Sequence, residues 1–308
     1  MLNVLKSYTY IKNTVCVLVC LLYVNVASAQ TDSLFKVQEY YNQKNYNKAK
    51  ILIEKCLIHP ETSVDPGAWQ MRSFIYKEIY QTSIQKHLST NSYLLDSIVS
   101  SSLRSISLDK ENAYKENNLK LIEHASKLYY VIASKYIKDS TLRNFEIAQK
   151  AYNKHKSILL KVQPNYNFTT ADINFYSVVG GLYADLYVNA EFDNKYGEIA
   201  KSALMLVLEL DPKNIAANMN LGIVYYNQGA TLMRKMDYDT EISQVYVIEE
   251  NAAKLFKQSF PYINIAYEQA PTNEKALDGM IGIYKGLNDL EKFEEYKKKK
   301  ELLKTKSN

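Results

Sequence analysis

Apolar residues along most of this chain recur at spacings of three and four, as in the window Ile199 to Leu210. No stretch beyond residue 30 alternates apolar and polar with a period of two over a strand's length, so every predicted element is a helix. The first residues follow another pattern. Lys6 and Lys12 stand without an acidic neighbour, an apolar run follows from Val15 to Val24, and Ala27-Ser28-Ala29 precedes Gln30. That order of basic, apolar and small residues predicts a secretory signal peptide over 1–29. Its apolar run is half of the roughly 20 residues that a spanning helix requires, so no transmembrane segment is expected in the mature chain. Cys20 follows bulky Val19, which argues against lipidation at that thiol.

Beyond residue 30 the chain repeats itself. Ser105 to Asn112, Leu159 to Tyr166, Val207 to Asn214 and Ala266 to Asn273 align without gaps, each reading as a helix end followed by a stop. Pro164, Pro212 and Pro271 cannot continue a helix and push the preceding residue out of helical geometry. After the stops the chain restarts with Trp69-Gln-Met-Arg-Ser73-Phe-Ile-Tyr76 or Asn218-Met-Asn-Leu221-Gly222-Ile-Val-Tyr225. A bulky residue, a small one four on, Tyr three further and a later Ala and Pro resemble the tetratricopeptide repeat, a helical hairpin of about 34 residues. Tyr40, Tyr46, Ala49, Ile53 and Cys56 fit a first repeat, and Ala200, Leu204 and Val207 a later one. The stops at 110, 164, 212 and 271 are farther apart than that length, so the hairpins are long. The resemblance implies an all-α fold, an α-solenoid of about six antiparallel hairpins in a TPR-like superhelix. Their expected spans are 31–60, 66–109, 113–163, 170–211, 214–270 and 273–305, with the repeat domain over 30–303 and a short basic tail over 304–308. Residues 236–256 are expected either to stand free as a helix or to extend the fifth hairpin across Pro261. At each crossing a small residue of the first helix is expected to meet a small residue of the second.

Composition narrows the function. Of 308 residues 47% are hydrophobic, with only 9 Gly and 6 Pro, which supplies a core and excludes low-complexity or collagen-like chains. Without residues 1–29, 36 basic residues face 33 acidic ones, and so small an excess does not suggest a nucleic-acid binder. Cys16 and Cys20 fall in the signal, leaving Cys56 alone and no internal disulfide. Its position predicts a small buried residue.

The residues of ordinary catalysis are not assembled in the sequence. His59, His87, His124 and His155 lack metal-ligand spacing with one another or with a Glu. Gly180-Gly181 follows no strand and precedes no Lys-Ser or Lys-Thr, so it reads as close helix packing rather than a phosphate loop. Asp237-Tyr-Asp239 and Glu249-Glu250 pair carboxylates without the further oxygens of a calcium loop. Ser100 to Ser102 have no neighbouring His. Asn167-Phe-Thr169 matches a glycosylation acceptor. The run Lys297 to Lys306 reads as a solvated helix end whose cations oppose the dipole. No enzyme, metal or cofactor is expected.

Binding remains. In the tetratricopeptide family the first helix of each hairpin lines a concave groove. That resemblance implies groove positions at Gln38, Tyr41 and Asn42, at Gln70, Phe74 and Lys77, at Met219, Ile223, Tyr226 and Asn227, and at Lys275, Asp278 and Lys285. Amides, phenols and ammonium groups suit an extended peptide, which offers both donors and acceptors. The expected function is a non-enzymatic scaffold for a protein or peptide partner in the bacterial periplasm or envelope. The alternative is a helical solute or glycan receptor using the aromatic groove.

Overall fold

The computed structural model describes residues 32–84, 92–138 and 141–306, and the expected signal peptide and His87 lie outside them. Among the described residues there are helices and no strands. Six hairpins follow one another. They pair α1 (32–42) with α2 (Tyr46–Cys56), α3 (Pro66–Ile84) with α4 (Ser92–Leu108), and α5 (Lys115–Lys138) with α6 (Leu142–Val162). The next pairs are α7 (Thr169–Asn189) with α8 (Asn194–Leu210), α9 (Ile215–Arg234) with α10 (Ile242–Gln269), and α11 (Glu274–Gly286) with α12 (Leu290–Lys306). The helix ends fall just before Pro164, Pro212 and Pro271, where ring closure removes the N–H a helix would need. Pro261 by contrast lies inside α10, which runs unbroken to Gln269, so the fifth hairpin does extend across it.

Three helix starts of the second unit are capped by side chains. Asn214 Oδ1 accepts from Ala217 N at 3.0 Å, Asp193 Oδ1 from Lys195 N at 3.0 Å, and Asn273 Oδ1 from Lys275 N at 2.9 Å. These side chains satisfy donors that the first helical turn leaves open. The turns explain why so few glycines suffice. Lys44, Glu191, Phe192 and Asn288 take positive φ in the tight connections, and no glycine does. Phe192 is the costliest choice there, and it is held by Tyr187, 5.3 Å away edge to face, and by Arg234 stacked 4.7 Å from its ring centre.

The chain divides into two compact units. The first holds the described residues up to Ala133 together with 147–166; the second holds 134–146 and everything from 167 on. Within the first, Val37, Ala49, Ile53, Cys56, Ala68 and Ile75 close the core of α1 to α3. Cys56 is buried, as its place in the repeat predicts, and burial pushes its thiol pKa up. Within the second, Leu204, Val207, Ala217 and Leu221 join α8 to α9, while Phe256, Ile263, Ala266, Leu277, Met280 and Tyr296 fill the last two hairpins.

The close crossings differ from the expected contact of small with small. A Cβ on Gly180 would stand 2.5 Å from Leu204 Cγ, and one on Gly222 would stand 2.6 Å from Ile263 Cδ1. The glycine of the first helix is thus a hole for a branched aliphatic knob of the second, and that knob fills the space that a pair of small residues would leave empty.

Candidate functional site

In the first unit α1 and α3 lie side by side, and an open cleft marks each end of their seam. Leu34, Phe35 and Gln38 of α1 face Gly67, Ala68 and Met71 of α3 across a cleft of about 250 Å³. At the other end Lys44, Asn45, Tyr46 and Asn47 face Glu78, Ile79, Gln81 and Thr82 across one of about 670 Å³. The two clefts lie at opposite ends of two parallel first helices, with Val37 and Ile75 packed into the core between them.

The larger cleft carries opposite charges and several amides. Lys77 Nζ approaches Glu78 Oε1 at 3.5 Å, and Lys44 stands on the opposite wall. Tyr41 and Tyr46 meet with ring centres 5.5 Å apart. Burial first, and then the Glu78 carboxylate, push both phenols above their ordinary pKa, so they remain protonated donors at neutral pH. Thr82 Oγ1 donates back to the carbonyls of Glu78 and Ile79, both at 3.0 Å, which leaves its lone pairs as acceptors. Asn45 Oδ1 caps α2 through Lys48 N at 3.4 Å. Donors and acceptors thus line the walls together, an arrangement suited to a ligand that has both.

The structure sorts the predicted groove residues into three kinds. Gln38 lines the smaller cleft and donates to Asn42 Oδ1 at 2.9 Å, while Tyr41 packs against Tyr46 of the larger one. Phe74 is half-buried, and Lys77 sits beside the larger cleft through Glu78. Gln70 is a correction: it is buried and its amide donates to Tyr114 O at 3.2 Å, tying α3 to the start of α5. Met219 is another, since it lies in the core of the last two hairpins, with Ile223 packed at its edge. Tyr226 is also a packing residue. Its ring lies 5.5 Å from Phe256, and a Cβ on Gly282 would come within 2.8 Å of it. Asn227 is half-buried, Lys275 and Lys285 are exposed, and Asp278 forms an ion pair with Lys300.

Sequence reasoning missed the walls of the larger cleft, because Glu78, Ile79, Gln81 and Thr82 lie beyond the positions that the family pattern names on α3. The other half comes from the turn between α1 and α2 and the first residues of α2, and the polar run Gln43-Lys-Asn-Tyr-Asn47 with left-handed Lys44 is its signal.

Two constellations resemble chemistry. Arg72 Nε donates to Glu54 Oε1 at 2.7 Å, Tyr76 Oη donates to the same oxygen at 2.7 Å, and Arg72 also bonds Ser101. Burial and that carboxylate hold the Tyr76 phenol at a pKa of about 12. Ser126 Oγ lies 2.8 Å from His155 Nδ1 and donates to His155 O at 2.9 Å, but Ser126 is fully buried between α5 and α6. A serine nucleophile needs an open approach for its substrate. Ser126 has none, and both sets tie neighbouring helices together.

No protein-family model and no curated protein matches the chain. Among solved structures, the human IFIT1 dimer with PPP-AAAA overlays 84% of this chain on 69% of its own at 14% identity, with a TM-score of 0.23. The human IFIT1 dimer with m7Gppp-AAAA gives 84%, 68%, 14% and 0.24. Overlays this loose assign no ligand to the chain.

Proposed function

We propose that this chain is an exported, non-enzymatic scaffold of the tetratricopeptide type that holds an extended segment of a protein or peptide partner in the cell envelope. The α1–α3 groove of the first unit is where it docks. The observation that carries this reading is the cleft of about 670 Å³, whose walls mix amides, phenol, ammonium and carboxylate. A peptide in extended form presents alternating N–H and C=O groups, and such walls answer both. The signal-like first 29 residues support export.

A photo-crosslinking amino acid placed at Asn42 or Gln81 tests the site, with Lys110, outside the groove, as the control. Both groove positions should capture one common partner in envelope preparations, and Asn47→Ala with Glu78→Gln should abolish that capture. Equal capture from Lys110 would remove the groove from the argument. Retention of a glycan on an array, lost with the same pair of substitutions, would replace the peptide reading with the receptor one.

A further inference from the structure

We infer that a cleft bounded by α4, α5 and α6 of the first unit binds a free α-amino acid with an aliphatic side chain. It shares no lining residue with the two α1–α3 clefts.

The cleft has a volume of about 270 Å³. A cavity of about 150 Å³ holds a benzene ring, so this one has room for a molecule the size of leucine or isoleucine. Its lining divides by chemistry. Ile132 and Ala151 are buried and Ile147 is half-buried, and together they supply an apolar part. The remainder carries charge. Asp96 Oδ1 accepts an ion pair from Lys154 Nζ at 2.8 Å and a hydrogen bond from Tyr129 Oη at 3.0 Å. The same phenol donates to Ser92 O at 3.1 Å and is only 4% exposed. Burial, and then the Asp96 charge, push its pKa far above the ordinary value, so the proton stays on these bonds. Asp96 is therefore fixed from both α5 and α6. Its Oδ2 carries neither of these two bonds and is able to accept from a ligand.

Lys150 supplies the opposite charge. It lines the cleft and forms no ion pair among the described residues, although Glu146 stands one turn earlier. Residues 147–162 hold four Lys and no acidic residue, so nothing on that stretch of α6 competes for it. Lys150 and Lys154 are one turn apart on α6, about 5–6 Å between Cβ atoms, and Asp96 sits on Lys154. A free ammonium and a fixed carboxylate are thus offered about one helical turn apart. The carboxylate and ammonium of an amino acid branch from one carbon and can answer both, while its side chain turns to Ile132, Ile147 and Ala151. A ligand with a single charge leaves one of the two groups unanswered. A zwitterion therefore fits this cleft better than a plain carboxylic acid or an amine. The contact is small and its charged rim is wet, so binding is weak, about millimolar.

Isothermal titration of the purified protein with leucine and isoleucine tests it. The expected result is saturable binding. Isocaproate lacks the ammonium, isoamylamine lacks the carboxylate and glycine lacks the apolar body, and each should bind at least about tenfold more weakly than leucine. Lys150→Gln and Asp96→Asn should each weaken leucine binding about tenfold or more, while Lys161→Gln, on the same helix outside the cleft, should leave it unchanged. Circular dichroism of each variant, expected to match the parent, keeps loss of folding apart from loss of the site. Should Asp96→Asn not fold, Lys150→Gln decides, because Lys150 makes no ion pair among the described residues. No saturable heat up to about 10 mM leucine overturns the inference. So does isocaproate or isoamylamine binding as tightly as leucine, which would make the cleft a site for one charge, and so does an equal loss in Lys161→Gln.

Discussion

The second and third hairpins and the fourth and fifth solve one packing problem with different chemistry. Where α3 crosses α4, Ser73 Oγ donates to Ile98 O at 3.3 Å, and Ser102 Oγ donates to Ser73 Oγ at 3.0 Å. Where α5 crosses α6, Ser126 meets His155. In the second unit the matching positions are Gly180 and Gly222, filled by Leu204 and Ile263, with Ser259 Oγ donating to Gly222 O at 2.7 Å. The hydroxyl seam gains from directed bonds, each worth about 1 kcal/mol net. The glycine seam gains from close contact and tolerates no added atom. Sensitivity to substitution should therefore differ between the units in kind as well as in size.

The strongest test adds atoms to a glycine hole. Gly222→Val or Gly180→Val should destabilise the protein by about 1–3 kcal/mol or more through overpacking, read as a lower midpoint in denaturant. Adding Ile263→Ala to Gly222→Val should return part of that loss, and a strictly additive double variant would break the knob-in-hole account. Next in size is Arg72→Leu, which strips a charged donor from Glu54 and Ser101 and should cost about 1.5–3 kcal/mol. Ser102→Ala should cost about 1 kcal/mol, and serine-to-alanine changes should never approach the glycine-to-valine effect. Gly181→Ala reverses the sign. Its Cβ would meet only Asn220 Nδ2 at 3.5 Å, so helix propensity should raise stability by up to about 1 kcal/mol beside a neighbour that admits nothing.

The smallest expected difference is one of pH. Burial lowers the pKa of both His124 and His155 below the ordinary 6.5, and the second unit has no histidine. The folded form thus favours neutral rings, so the unfolded chain takes up protons first. Stability from this source is complete above 6.5 and falls as pH drops through the lowered folded values. Trp69, the one tryptophan, reports on the first unit alone. Unfolding followed by its fluorescence should shift between neutral and mildly acidic pH. If His124→Gln and His155→Gln leave that shift intact, the histidines are not its source.

Much of this architecture is legible from residue order. Pro164, Pro212 and Pro271 mark the ends of α6, α8 and α10 because a missing N–H is a local fact. The seams are less legible. Ser73 and Gly222 hold the same place in their repeats, yet whether a hole receives a hydroxyl or a methyl depends on the facing helix. The groove was half visible for the same reason. Gln38 lines a cleft, whereas Met219 and Tyr226, implied by the same resemblance, pack inward, Tyr226 against Phe256 and Gly282, which no repeat pattern records.

Pairing of each helix with its successor also bears on how the chain reaches its native state. Contacts between neighbours in sequence need only short loops to close, and topologies rich in them fold quickly. A hairpin can therefore assemble as soon as both its arms have emerged, without waiting for distant segments. A chain delivered end first through a narrow pore would be protected, one finished pair at a time, from tangling with its own unfinished remainder.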